Sequence, residues 1–394
     1  MKASPCPGFV LGAVAAGIKK NGEPDLALIY SERPSAAAAV FTRNRVQAAP
    51  VVLDRQRIEG GQAQAVIVNS GNANCCTGLQ GMQDARTMAA ATAAELGIDE
   101  SLVLVSSTGV IGEPLPVGKI IKALPALKKQ TRSDGVMDFA RAIMTTDTVP
   151  KALSRRVATE AGVFTLTGIA KGAGMIRPDL ATMLCYLLTD VQASSAGLKQ
   201  LLASACDRSF NRISIDGDTS TNDTVLIMAN GRSGIDIGDR AHLKRFRKAL
   251  DGVTMDLAKW LVRDGEGVTK LVNIVIRGAA SDADAVRLAD TVAHSNLVKT
   301  ALFGEDANWG RIIAAAGRAG VPMNPDRVDI YFDAVKMVAG GIGCGPAAEA
   351  RAARVLQRDE VTITVDIHMG SGSAEMVTCD FSLDYVRINA EYRT

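Results

Sequence analysis

Apolar runs of strand length alternate with helix-period segments along the whole chain. In the first half, DLALIYSE (residues 25–32), AAVFTRN (38–44) and the run AQAVIVNSGNAN from Ala63 read as strands separated by turn residues. Residues 83–96, rich in Ala and Met and closed by Gly97, predict a helix. A buried-type strand at 102–105 runs into the turn SSTGVIGEPLP, and a helix is expected at 135–144. FTLTGIAKGAGM then leads to residues 181–188, an unbroken apolar stretch that reads as a buried strand. Helical spacing covers 198–210 and 240–262, with further helices at 281–300 and 309–319. The remainder reads as a smaller α/β unit: strands DIYFD and AVKMVAG, a helix at 347–356, then TITVDIHMG and MVTCDFSLDYVRI. The last two alternate as antiparallel strands do, which places a strand at 381–388, just before the terminus. The class is α/β (α+β), with a main domain at 1–280 and a C-terminal domain at 281–394.

Composition narrows the function classes. The 394 residues suffice for two or three covered cores, and 47% hydrophobic with 22% charged residues argues against extended disorder. The 44 basic and 42 acidic residues are interspersed, so no nucleic-acid partner is indicated. Residues 8–18 are apolar, but only Lys2 precedes them, two prolines interrupt the approach and Lys19 and Lys20 close the run. They read as a strand rather than a signal peptide, and no stretch is long enough to span a bilayer. Seven cysteines without a C-x-x-C pair point to a reducing compartment, the cytoplasm or, in a eukaryote, an organelle matrix. His242, His294 and His368 lack metal-ligand spacing. Asp216, Asp218 and Ser220 begin like a calcium loop, but Thr221 stands where Gly is required and Ile227 where Glu is, so no metal is expected.

The central stretch KGAGMIRPDLATMLCYLLTD, residues 171–190, joins a Gly-rich turn to the apolar run, with Thr182 at the junction behind Ala181. A β-branched Thr in a strand is ordinary. It is also the residue type of an N-terminal nucleophile, whose hydroxyl is activated by the α-amine that cleavage frees on the same residue. That amine has a reference pKa of about 7.7–8.0, near working pH.

KGAGMIRPDLATML resembles the self-processing segment of the ornithine acetyltransferase (glutamate N-acetyltransferase) family, in which the bond before the Thr is cut. The resemblance implies a cleavage site between Ala181 and Thr182. STGVIGEPLP is similar to the family's oxyanion motif, which implies that Thr108 and Gly109 hold the tetrahedral intermediate. TTDTVPK (145–151) implies a substrate contact at Thr148, the D-G-E-G turn implies an amine contact at Glu266, and the ending YVRINAEYRT implies contacts at Asn389 and Thr394. Lys171 is implied to hold a substrate carboxylate.

The resemblance further implies an N-terminal-nucleophile-like, layered helix-sheet-helix main domain whose smaller C-terminal partner contributes the chain's tail to the active site. The implied reaction is acetyl transfer from N2-acetyl-L-ornithine to L-glutamate through an acetyl-Thr182 intermediate, in arginine biosynthesis. No cofactor is needed, and some family members also take acetyl-CoA as a substrate. The cut chains are implied to assemble as an α2β2 heterotetramer, with no nucleic-acid or membrane partner. Two other readings stay open from the residues alone: a self-cleaving aminopeptidase or amidohydrolase using the same Thr, and a non-catalytic chain that remains whole.

Overall fold

The computed structural model describes residues 3–177 and 183–391. They form two compact units, one from the described residues within 3–211 and 218–261, the other from those within 212–217 and 262–391.

The first unit is built on one sheet. Its strands in chain order are β1 (Phe9–Val14), β2 (Leu26–Phe41), β3 (Gln62–Asn72), β4 (Val103–Val110), β5 (Lys151–Thr159), β6 (Gly162–Lys171), β7 (Leu184–Thr189) and β8 (Thr224–Ala229). They lie in the order β4-β3-β2-β8-β7-β6-β5, with β1 added alongside β2. The β3–β4 and β7–β8 pairs are parallel and the others antiparallel.

β2 merges the two short strands expected at 25–32 and 38–44. Its first half pairs with β3 and its second half with β8, and the register slips between Tyr30 and Ser35. Pro34, which has no N–H for a ladder, sits within that irregularity, where a Pro in a strand is tolerated. Ala27, Ile29, Val66, Val68 and Leu104 from one part of the sheet share a buried core with Ile169, Leu184, Tyr186, Leu188 and Leu226 from the other. The alternate residues Leu26, Leu28, Ala65, Ile67, Val103 and Val105 face the opposite way. There they meet α2 (Gly78–Leu96) and α3 (Val117–Gln130), as the two-residue period of a strand requires. α1 (Ala49–Arg57) joins that outer face, while α4 (Val136–Ala142) sends Phe139 edge-on to Tyr186 at 5.3 Å in the shared core. α5 (Ser195–Arg208) and α6 (Arg240–Arg263) complete the unit's helices, and Gly168 of β6 leaves room for Val253 and Leu257 of α6. The layering of helix and sheet expected of the main domain is present.

The second unit carries a six-stranded sheet of β9 (Leu271–Ala279), β10 (Asp329–Phe332), β11 (Val335–Ala339), β12 (Ile342–Gly343), β13 (Glu360–Asp366) and β14 (Gly372–Cys379). Val272, Ile274 and Ile276 of β9 point into a single core with α7 (Asp282–Ala293), α8 (Asn296–Phe303), α9 (Trp309–Gly317) and α10 (Pro346–Leu356). The helix expected at 281–300 is two helices. α7 closes at His294, and Ser295 accepts the amide of Val298 and starts α8 afresh.

The end of the chain corrects the expectation of a strand at 381–388. β14 stops at Cys379, and α11 (Leu383–Glu391) follows. Ser382 Oγ accepts the Tyr385 amide at 3.2 Å, and Phe381 stacks on Tyr385, with ring centroids 4.3 Å apart. Phe381 stands just before the capping Ser and packs back on Tyr385 in the first turn of α11, so the cap and this aromatic contact outweigh the apparent alternation.

Ser382 also donates to Gly267 O at 2.6 Å. Ser382→Ala should therefore lose a cap and a side chain to backbone hydrogen bond, about 1 kcal/mol each. Urea unfolding should show a drop of about 2 kcal/mol, and an unchanged midpoint would mean that α11 is held by its packing alone.

Candidate functional site

The β3–β4 pairing sets the geometry of the Thr108-Gly109 turn. Thr108 pairs with Ser70 and Gly109 with Gly71, and the register is irregular beyond them. Gly109 has φ +133°, and a Cβ there would lie 2.4 Å from the Gly71 carbonyl carbon. No side chain fits, because the neighbouring backbone occupies its place. Asn222 braces the same turn from the approach to β8, donating to Ser107 O at 2.8 Å and Ala73 O at 2.7 Å.

Lys171, the last residue of β6, is 3% exposed. Its Nζ donates to Thr145 Oγ1 at 2.7 Å and Thr108 Oγ1 at 3.3 Å, and stands 3.8 Å from Asp147 Oδ2. An ammonium has donors only, so both hydroxyl oxygens must accept from it. The Thr108 hydroxyl hydrogen is thereby left to point at another acceptor, the arrangement an oxyanion requires.

Asp147 fixes this cation. It is buried, accepts from Lys151 Nζ at 2.7 Å, Gly172 N at 2.6 Å and Thr145 N at 3.1 Å, and faces Lys171. Burial pushes its carboxyl up, but Lys171, Lys151 and the Gly172 amide outweigh that and hold the pKa down at about 2. One carboxylate thus sits against two buried ammoniums. Thr148 is the exposed next residue of the loop.

In the second unit, Glu266 sits on the turn after α6 and is 8% exposed. It accepts from Asn389 Nδ2 at 2.8 Å, and Asn389 donates also to Tyr385 O at 3.1 Å. The turn needs Gly267, whose φ is +66° and whose Cβ would meet Tyr385 N at 2.4 Å. α11, rather than the expected strand, therefore carries Asn389 to Glu266. Among the described residues no group of three or more His, Cys, Asp or Glu side chains is placed to hold a metal. No helix among them is long and apolar enough to cross a membrane.

The ArgJ family pattern matches residues 10–394. The chain belongs to the ArgJ family. Proteins named arginine biosynthesis bifunctional protein ArgJ from Syntrophotalea carbinolica and Geobacter sulfurreducens are 51% and 52% identical to it over 389 and 390 residues, 98% of this chain and 99% of each relative. A crystal structure of the protein of that name from Bacillus halodurans aligns at 40% identity with a TM-score of 0.50, covering 98% of that chain and 52% of this one. As an ArgJ-family member the protein is an enzyme, an acyltransferase of arginine biosynthesis.

Of the residues singled out from the sequence, Thr108, Gly109 and Lys171 come together in the first unit with Thr148 on the adjoining loop, and Glu266 meets Asn389 in the second. Ala181, Thr182 and Thr394 lie outside the described residues. Sequence reading missed Thr145, Asp147 and Lys151, although all three stand in the TTDTVPK run that it singled out for Thr148. An acid between hydroxyls and a Lys in an apolar setting was the available signal. Asn222 and Asp223 were missed too, inside the run weighed as a calcium loop.

Asp147→Asn should leave Lys171 and Lys151 buried without their carboxylate, a loss of about 3–5 kcal/mol at neutral pH. The folded pKa of about 2 lies below the ordinary value near 3.9, so the Asp147 contribution is full above about pH 4 and fades as pH falls toward 2. The stability gap between wild type and Asp147→Asn in urea should narrow over that window. A gap independent of pH there would show that the carboxylate charge is not what holds the cluster.

Proposed function

We propose that the chain cuts itself between Ala181 and Thr182, and that Thr182 then carries acetyl from N2-acetyl-L-ornithine to L-glutamate. The observation that carries this reading is the Lys171 to Thr108 hydrogen bond, which turns the Thr108 hydroxyl into a donor beside the Gly109 amide. Support comes also from the Bacillus halodurans chain, which matches only 52% of this one while being covered over 98% of its own length. A half-length chain is what cleavage before Thr182 leaves.

In the first stage Thr182 Oγ attacks the Ala181 carbonyl carbon, and the bond from that carbon to the Thr182 nitrogen breaks as the nitrogen takes up a proton. Water then hydrolyses the resulting ester and releases residues 1–181 from 182–394. In the second stage the neutral Thr182 amine takes the proton of its own hydroxyl, and Oγ attacks the acetyl carbonyl of the donor. Negative charge gathers on the carbonyl oxygen, where the Thr108 hydroxyl and Gly109 amide stabilise it. Ornithine leaves, and the glutamate amine takes the acetyl group from Thr182.

Lys171 keeps Thr108 oriented and adds positive charge for a substrate carboxylate. Glu266, steadied by Asn389, takes the ammonium of the substrate, and Thr148 and Thr394 add polar contacts. The residues named in this scheme need no cofactor. Because the relatives are named bifunctional, acetyl-CoA is included as a second acetyl donor to glutamate. Assembly of the cut chains as an α2β2 heterotetramer in the cytoplasm belongs to the same proposal.

On a denaturing gel the purified protein should run as two roughly equal fragments, the second beginning with Thr182 by mass spectrometry. Thr182→Ala should stay whole, and a chain still cut there would assign cleavage to an outside protease. Glutamate should be required for ornithine release, since release to water alone would make the enzyme an amidohydrolase. In cleaved protein, Thr108→Ala should lower kcat by about 10²–10³, the usual effect of removing one oxyanion donor. A kcat within a few-fold of wild type would remove Thr108 from the chemistry.

A further inference from the structure

Among the described residues, Ser106 Oγ, Tyr186 Oη and Asp223 Oδ2 are buried side-chain atoms with no hydrogen-bond partner. Asp223 is the one that belongs to a carboxyl group, and a half-satisfied carboxyl in the interior is costly. Such a group calls for an explanation.

Its position supplies one. Asp223 stands immediately before β8, whose first residue, Thr224, pairs with Leu184 at the start of β7. Thr224 N donates to Met183 O at 3.1 Å, so the two strands are in register at that end. Asp223 Oδ1 accepts the Met183 amide at 3.1 Å. The Met183 N–H belongs to the peptide group whose carbonyl is that of Thr182. The Thr182 α-nitrogen is three covalent bonds from the Met183 nitrogen. Asp223 therefore grips the peptide plane on the C-terminal side of Thr182, and its own main chain is fixed in turn, with Thr42 N donating to Asp223 O at 3.0 Å.

We propose that Asp223 is a positioning residue for acetyl transfer: by holding the Met183 amide it sets the direction in which Thr182 presents its hydroxyl and amine. The assignment rests on Thr182 being the nucleophile. Burial pushes the Asp223 carboxyl well up, and the Met183 amide, the Ser220 hydroxyl and Lys171 pull it down only in part. In either protonation state the carboxyl offers the acceptor oxygen that the Met183 amide needs. Asp223 acts through the amide it holds, so an isosteric amide side chain should replace it.

The test compares wild type with Asp223→Asn, which keeps an acceptor oxygen, and with Asp223→Ala and Asp223→Leu, which do not. Fragments beginning with Thr182 are quantified first, and kcat and KM for acetyl transfer are then measured per cleaved chain. Asp223→Asn should retain kcat within a few-fold. Asp223→Ala and Asp223→Leu should lose about 10- to 100-fold in kcat with KM nearly unchanged, the scale expected when a reacting group is misplaced by a fraction of an ångström to an ångström. Leu fills the volume that Ala leaves empty, so folded protein from either one suffices. Wild-type kcat in either acceptor-free variant overturns the assignment, as does an equal loss in Asp223→Asn or a defect confined to KM. A wild-type chain that is never cut at Thr182 overturns the parent reading, and this one with it.

Discussion

Everything proposed for the first unit depends on one buried ammonium. Lys171 donates to two Thr hydroxyls and faces Asp147, and these partners come from two other parts of the chain. β6 delivers the cation, β4 delivers Thr108, and the loop before β5 delivers Thr145 and Asp147. A cation shut away from water is tolerated only where it is paired and hydrogen-bonded, so the three elements are fixed relative to one another by the same requirement that keeps Lys171 charged. The orientation of the Thr108 hydroxyl follows from that constraint. It is set by a donor that cannot accept, independently of any substrate.

The second constraint is steric and lies in the backbone. At Gly109 the adjoining strand leaves no room for a Cβ, and at Gly267 the start of α11 leaves none. The first close approach brings an amide beside the Thr108 hydroxyl. The second lets Glu266 and Asn389 meet within the second unit. Glycine serves at both positions because two backbones come into contact there, so the polar groups displayed beside them are held by main chain rather than by mobile side chains.

These two constraints differ in how far they could be read from the sequence. The strands and most helices announced themselves through periodicity, because a buried face imposes a period of two or about 3.6 on the residues that form it. The Thr108-Gly109 pair, Glu266 and Asn389 stood out through motif resemblance. Asp147 and Lys151 did not, since their importance arises from burial and from the contact of Asp147 with Lys171, which stands in another strand, and local pattern encodes neither. The end of the chain misled for a related reason. Phe381, Leu383 and Tyr385 alternate with polar residues as a strand would, but Ser382 caps and Phe381 stacks four residues on, so a few directional contacts decided a segment whose apolar pattern fits both structures.

Asp147 and Asp223 show how one interior treats two carboxyls differently. Asp147 has two ammoniums against it and stays ionised despite burial. Asp223 holds the Met183 amide on Oδ1, and although that amide, the Ser220 hydroxyl and the charge of Lys171 lower its pKa in part, burial prevails and pushes it well up. Lys171 is common to both, but of the two carboxyls it is Asp147 that lies within ion-pair distance. The outcome separates their functions. An ionised Asp147 supplies the charge that keeps the cation in place, whereas Asp223 supplies a hydrogen-bond acceptor to the Met183 amide at the start of β7. Desolvation acts on both carboxyls, and what separates them is that two ammoniums face one while a main-chain amide faces the other.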